Sequence, residues 1–168
     1  MSHPLVLALF DDPAAAAAAA RELRAIGIPQ ERVSIVARSH DEEGILARAT
    51  DASPGSEIED SGAASRLGEL TAHLVAAIAL VMPGIGPIVA AGPLAAGLGE
   101  AAGHVAGGLA RTLHRAGFDE TRAARWESRV EAGAILVGAH IEQNRVGPVR
   151  DVVTRHGAAE LEEAIWPD

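Results

Sequence analysis

From Leu70 to Gly99 the chain carries no formally charged side chain, and in the middle of that run stands Met82-Pro83-Gly84-Ile85-Gly86-Pro87. Two prolines and two glycines within six residues cannot continue a helix, so the apolar run must turn back on itself. Its two arms read as helices, one from about Ser65 to Val81 and one from Ile88 to about Ala116, with Gly92-Pro93 kinking or restarting the second. A long hairpin of this kind, apolar all round, needs an apolar neighbour. That neighbour is a partner chain, a lipid or the protein's own sheet.

Composition narrows the classes. Hydrophobic residues make up 48% of the 168 residues but aromatics only 2%, so small side chains dominate and close backbone approach must replace bulk. A formal net charge of −9 argues against nucleic acid and against electrostatic docking on anionic lipid. With no cysteine, disulfides, zinc–thiolate sites and thiol catalysis are excluded. Met1-Ser2-His3-Pro4 lacks the charged start of a signal peptide, so a cytoplasmic location is expected, with a peripheral place on the inner face of the membrane as its extension.

The rest of the chain reads as α+β. Leu5 to Phe10 has the length of a buried strand. Asp12 then offers an N-cap, Pro13 fits the first helical position, seven alanines follow, and Gly27 stops the helix. Arg32 to Arg38 is a second strand. Residues 40–65, rich in Asp and Glu, read as a solvated flexible loop. After the hairpin, Asp119 caps a helix that runs through Ala132 with a thin apolar face of Ala123, Trp126 and Val130. Ala134 to Ile141 is a third strand, Val146 to His156 a helix ended by Gly157, and Ala159 to Ala164 a weak edge strand crowded by Glu160, Glu162 and Glu163.

A short internal repeat supports two matching halves. Leu5-Val6-Leu7, Leu23 and Gly27 correspond to Ile135-Leu136-Val137, Val153 and Gly157 at one offset of 130 residues. The expected architecture is therefore a ferredoxin-like βαβ–βαβ antiparallel sheet with a long helical hairpin inserted between the second and third strands. The chain divides into a first βαβ half (1–39), the acidic loop (40–65), the Gly/Ala-rich helical hairpin (66–117), and a connecting helix with the second half (118–168).

Three stretches carry a resemblance to a known family. They are the first strand with Asp11-Asp12-Pro13-Ala14 and Leu23-Arg24-Ala25-Ile26-Gly27-Ile28; Pro83-Gly84-Ile85-Gly86-Pro87 with Ala91-Gly92-Pro93-Leu94-Ala95; and Ala116-Gly117-Phe118-Asp119-Glu120 through Trp126-Glu127 to Val130-Glu131-Ala132-Gly133-Ala134-Ile135-Leu136-Val137. In these the chain resembles the bacterial heat-induced, or general stress, protein family of the YflT type. Trp126 stands where tyrosine is expected in relatives. The resemblance implies a fold and a stress or accessory association. It carries over no catalytic residue.

Gly99, Gly103 and Gly107 lie four apart on one helix face, a glycine ridge that lets another helix approach closely. With Leu74, Ile78, Val81, Ile85, Ile88, Val89 and Leu94 on the outer face they form the expected oligomer or lipid contact. Burial between subunits is the reading adopted. The first arm, Leu67 to Met82 with Glu69 inside, is short for a span needing about 20 apolar residues. No catalytic, cofactor or metal site is expected. Of seven histidines none forms an i,i+4 pair, and His140 with Glu142 is the best local pair. Gly84-Ile85-Gly86-Pro87 lacks the spacing of a phosphate loop. The expected function is a non-enzymatic, homo-oligomeric structural or accessory protein, stress-related, whose partner is itself or another protein complex. The alternative is a membrane-associated scaffold or a carrier sheltering a lipophilic molecule such as a quinone.

Overall fold

A computed structural model describes residues 2–38, 77–82, 86–94, 98 and 108–167. They form an α+β structure around an antiparallel sheet. In chain order the elements are β1 (His3–Phe10), α1 (Pro13–Ala25), β2 (Val33–Arg38), β3 (Ala77–Met82), β4 (Gly86–Ala91), α2 (Leu109–Arg115), α3 (Glu120–Glu131), β5 (Ile135–His140), α4 (Val146–Arg155) and β6 (Glu160–Trp166). The strands lie in the order β3-β4-β2-β5-β1-β6, and every pairing is antiparallel.

At β1, β2 and β5 both faces of the sheet are covered, and this explains why β1 and β5 are continuously apolar instead of alternating. Along β1, Val6, Ala8 and Phe10 face one layer, with α1 and α4, while Leu5, Leu7 and Leu9 face the other, with α2 and α3. In the first layer Ala16, Ala19 and Leu23 of α1 and Val149, Val152 and Val153 of α4 are buried. Alanine on the inner face of α1 sets no bulk between helix and strands, so the helix lies close on the sheet. Its start is fixed by Asp12, whose Oδ1 accepts the Ala14 N–H at 3.0 Å, and by Pro13 behind it.

The repeat at offset 130 extends to the helix stops. Gly27 N–H donates to Arg24 C=O and Ile28 N–H to Leu23 C=O; in the second half Gly157 donates to Thr154 and Ala158 to Val153. Gly27 and Gly157 have φ of 90° and 79°, in the left-handed region that such a stop requires.

On the second face Leu94, Leu98, Leu109, Leu113, Trp126 and Val130 are fully buried over Leu5, Leu7, Leu9, Val36 and Leu136. Phe118 meets Trp126 edge-on, with ring centroids 5.2 Å apart and planes at 81°. Asp119 caps α3 as expected, its Oδ1 accepting the Arg122 N–H at 2.8 Å.

The helical hairpin expected over 66–117 is corrected. Residues 77–82 and 86–91 are strands, paired as a β-hairpin from Ala77↔Ala91 to Met82↔Gly86, and β4 extends the sheet beyond β2. Two apolar runs of six residues, holding Ile78, Val81, Ile88 and Val89 and parted by proline and glycine, have strand length and strand composition. Length alone favoured a helix only while the runs were joined to their flanks. Pairing with β4 also satisfies backbone groups along β2, a demand that no single segment displays. The end of the expected second arm is helical, as α2. The acidic loop at 40–65 lies outside the described residues.

Candidate functional site

The most chemically suggestive group on the second face of the sheet surrounds His140, the last residue of β5. Alternation along β5 sends Leu136, Gly138 and His140 to the same side, while Ile135, Val137, Ala139 and Ile141 face α1 and α4. His140 is 2% exposed and Ser34, on the adjacent β2, is 0% exposed. His140 Nδ1 lies 3.0 Å from His3 Nε2, and His140 Nε2 lies 3.3 Å from Ser34 Oγ. Ser34 Oγ also accepts the Leu94 backbone N–H at 3.0 Å. Trp166 of β6 closes the group with its ring edge-on to His140, centroids 5.2 Å apart and planes at 85°.

A neutral imidazole satisfies this chain completely. Leu94 N–H donates to Ser34 Oγ, Ser34 O–H donates to His140 Nε2, and His140 Nδ1–H donates to His3 Nε2. The opposite tautomer reverses the last two bonds. Burial opposes the charged form of His140, and the neighbouring His3 and Arg32 oppose it further. Together they push its pKa down from 6.5 to about 3.

Two glycines shape the pocket that holds Ser34. Gly92 has φ of 78°, and a Cβ there would lie 2.3 Å from Val33 C=O, 2.7 Å from Ser34 Cα and 2.8 Å from Ser34 Oγ. A Cβ at Gly138 would lie 3.0 Å from Leu7 Cδ2 and 3.1 Å from Leu94 Cδ1. The turn Gly92-Pro93-Leu94 therefore passes directly over β2.

The order serine, histidine, second polar group is that of a nucleophile, its base and an orienting residue. The surroundings do not suit that use. Ser34 is fully buried, its Oγ accepts the Leu94 N–H, and the Gly92 backbone lies close against it. The group joins three strands to the turn beneath the helical layer, and its chemistry is hydrogen bonding.

Only some of the contact residues expected from sequence are described. Leu94 is corrected: it is 0% exposed inside the protein's own core, so it cannot meet a second chain or lipid. Leu98 is buried in the same cluster. Ile78 and Val81 lie on β3, and Ile88 and Val89 on β4. Leu74, Ile85, Gly99, Gly103 and Gly107 lie outside the described residues. The His140–Glu142 pair is corrected as well, since His140 turns inward while Glu142 is exposed ahead of the next short turn. Ser34 and His3 escaped the sequence reading. The available signal was a serine inside an otherwise apolar strand, Val-Ser-Ile-Val-Ala, which a buried position must match with a partner.

Among the described residues no cluster of three or more His, Asp or Glu side chains is placed to hold a metal ion. No described helix is long and apolar enough to cross a membrane. No family model, curated protein or solved structure matches the chain.

Proposed function

We propose that this protein is a non-enzymatic, self-associating structural or accessory protein, of the stress-related kind that its resemblance implies, built on a ferredoxin-like unit. The order β6-β1-β5-β2, with α1 and α4 buried against the same face, supports that unit: each helix follows the first strand of a βαβ half. β4 and β3 widen it on the β2 side. The observation that carries the functional reading is the sealed state of Ser34 and His140, the arrangement closest to a catalytic one, which gives a substrate no way in. The apolar hairpin extends the sheet beside β2.

The test is native mass in detergent-free buffer by light scattering. The expected result is a discrete multiple of the 17.2 kDa chain mass. A monomer that stays monomeric at high concentration refutes self-association.

A further inference from the structure

The two edges of the sheet differ sharply. At one edge, β6 carries Glu160, Glu162 and Glu163, and each is held by an arginine from a neighbouring helix. Arg129 reaches Glu160 at 3.0 Å, Arg122 reaches Glu162 at 3.0 Å and Arg150 reaches Glu163 at 3.0 Å. The outward backbone of β6 is also partly occupied, since Ile165 N–H donates to Ala116 C=O at 3.2 Å. Charge and a covering loop are the usual protections of an edge strand. At the other edge, β3 reads Ala-Ile-Ala-Leu-Val-Met, with no charge and no proline. Its register with β4 runs unbroken from Ala77 to Met82, with no bulge to twist it away. Among the described strands β3 pairs with β4 alone.

We infer that the β3 edge is where two copies of this chain join, strand against strand and antiparallel, across a two-fold axis. The inference rests on the self-association proposed above and names its surface. The occupant follows from charge and symmetry. Each copy carries a net charge of −9, so two copies repel except where neither presents charge, and residues 70–99 are such a stretch. A two-fold axis perpendicular to the sheet pairs residues that share a face, so an axis at Leu80 sets Leu80 opposite Leu80, Ala79 opposite Val81, and Ile78 opposite Met82 of the second copy. Every position then meets an apolar one, as a self-matching interface requires. The edge N–H and C=O groups of each β3 gain ladder partners.

Ala79→Lys/Leu80→Lys tests this. Successive strand residues project to opposite faces, so the pair places a charge on both faces at the centre of the contact. Light scattering of the wild type should give twice the chain mass and that of the variant the chain mass, with far-UV circular dichroism unchanged. Hydrogen exchange on the wild type supplies a second readout that needs no variant: protection of β3 amides should fall on dilution as the dimer separates. A folded variant that keeps the dimer mass overturns the β3 interface and leaves self-association standing through another surface. A wild type monomeric at all concentrations overturns both. β3 amides equally protected in monomer and dimer, or protected in a monomer only when neutral phosphatidylcholine vesicles are added, overturn the interface by assigning that edge to the chain itself or to lipid.

Discussion

Acid should weaken this fold first through His140. His140 is held neutral, with its pKa pushed down to about 3 from an ordinary 6.5. The unfolded chain binds a proton at His140 below about pH 6.5, and the folded chain does not until about pH 3. Between those values the unfolded state holds more protons, so stability falls as pH falls. The contribution is fully present above about pH 6.5 and is lost at about 1.4 kcal/mol per pH unit across the window. From pH 7 to pH 4.5 that amounts to about 2.5 kcal/mol, a sizeable part of the ~5–15 kcal/mol that holds a domain folded. Urea unfolding at both pH values measures it. His140→Gln removes the titration while keeping an amide able to make one of the two bonds. The variant is less stable at neutral pH, but its stability should fall by about 2.5 kcal/mol less than wild type between the two pH values. Proton NMR of the imidazole gives an independent reading. A His140 resonance that titrates near pH 6.5 in the folded protein, or equal acid sensitivity in wild type and variant, would refute the argument. Glu22 acts lower on the scale: its hydrogen bond from His156 holds its pKa below the ordinary carboxylate value, so its contribution, present above that ordinary value, is lost as pH falls from there through the lowered value.

Three further outcomes follow from packing. Gly92→Ala should cost at least about 3 kcal/mol, because a Cβ would meet the Val33 carbonyl at 2.3 Å while the backbone sits at φ 78°; a melting temperature within a few degrees of wild type would contradict the close approach. Trp126 Nε1 is buried with no hydrogen-bond partner among the described residues, so Trp126→Phe should stay within about 1 kcal/mol of wild type while Trp126→Ala loses about 3–5 kcal/mol, both read by denaturant titration. Asp119→Ala removes the cap on the Arg122 N–H and should lower stability by about 1 kcal/mol, whereas Asp119→Asn should keep most of it.

The parts of this fold that announce themselves in the sequence are those whose signals are local. Asp12-Pro13 and Asp119 mark helix starts with side-chain oxygens that bond the first free N–H groups, and Gly27 and Gly157 mark stops at φ values other residues avoid. β1 and β5 stand out because strands covered on both faces are apolar without interruption. The hairpin is not legible in the sequence for the complementary reason. Ala77 to Met82 and Gly86 to Ala91 are too short and too evenly apolar for either period to show, and alanine favours helix on propensity. What decides their state is the hydrogen-bonding demand of β2, which comes from residues more than 40 positions earlier in the chain. The place of Leu94 depends on the same hairpin. Read as part of an outward helix it looks like a contact residue, but after a strand and a turn it drops onto Leu7 and Gly138.

The histidine–serine chain follows from that same turn. Where Gly92-Pro93-Leu94 crosses β2, the Leu94 N–H is buried at the start of a helical turn, with no carbonyl one turn back to accept it. An orphaned donor there would cost about 1–3 kcal/mol. Ser34 accepts it, and this leaves a buried hydroxyl proton in need of an acceptor. His140 supplies that acceptor, which leaves the other ring nitrogen, and His3 receives it at the partly exposed start of β1. Each residue settles the polar debt of the one before, until the last sits within reach of water. On this account the imidazole of His140 is present because it can accept at one end and donate at the other while uncharged, a pairing that Asn or Gln would need a different reach to match. Its depressed pKa then follows from the relay's burial, with His3 and Arg32 nearby.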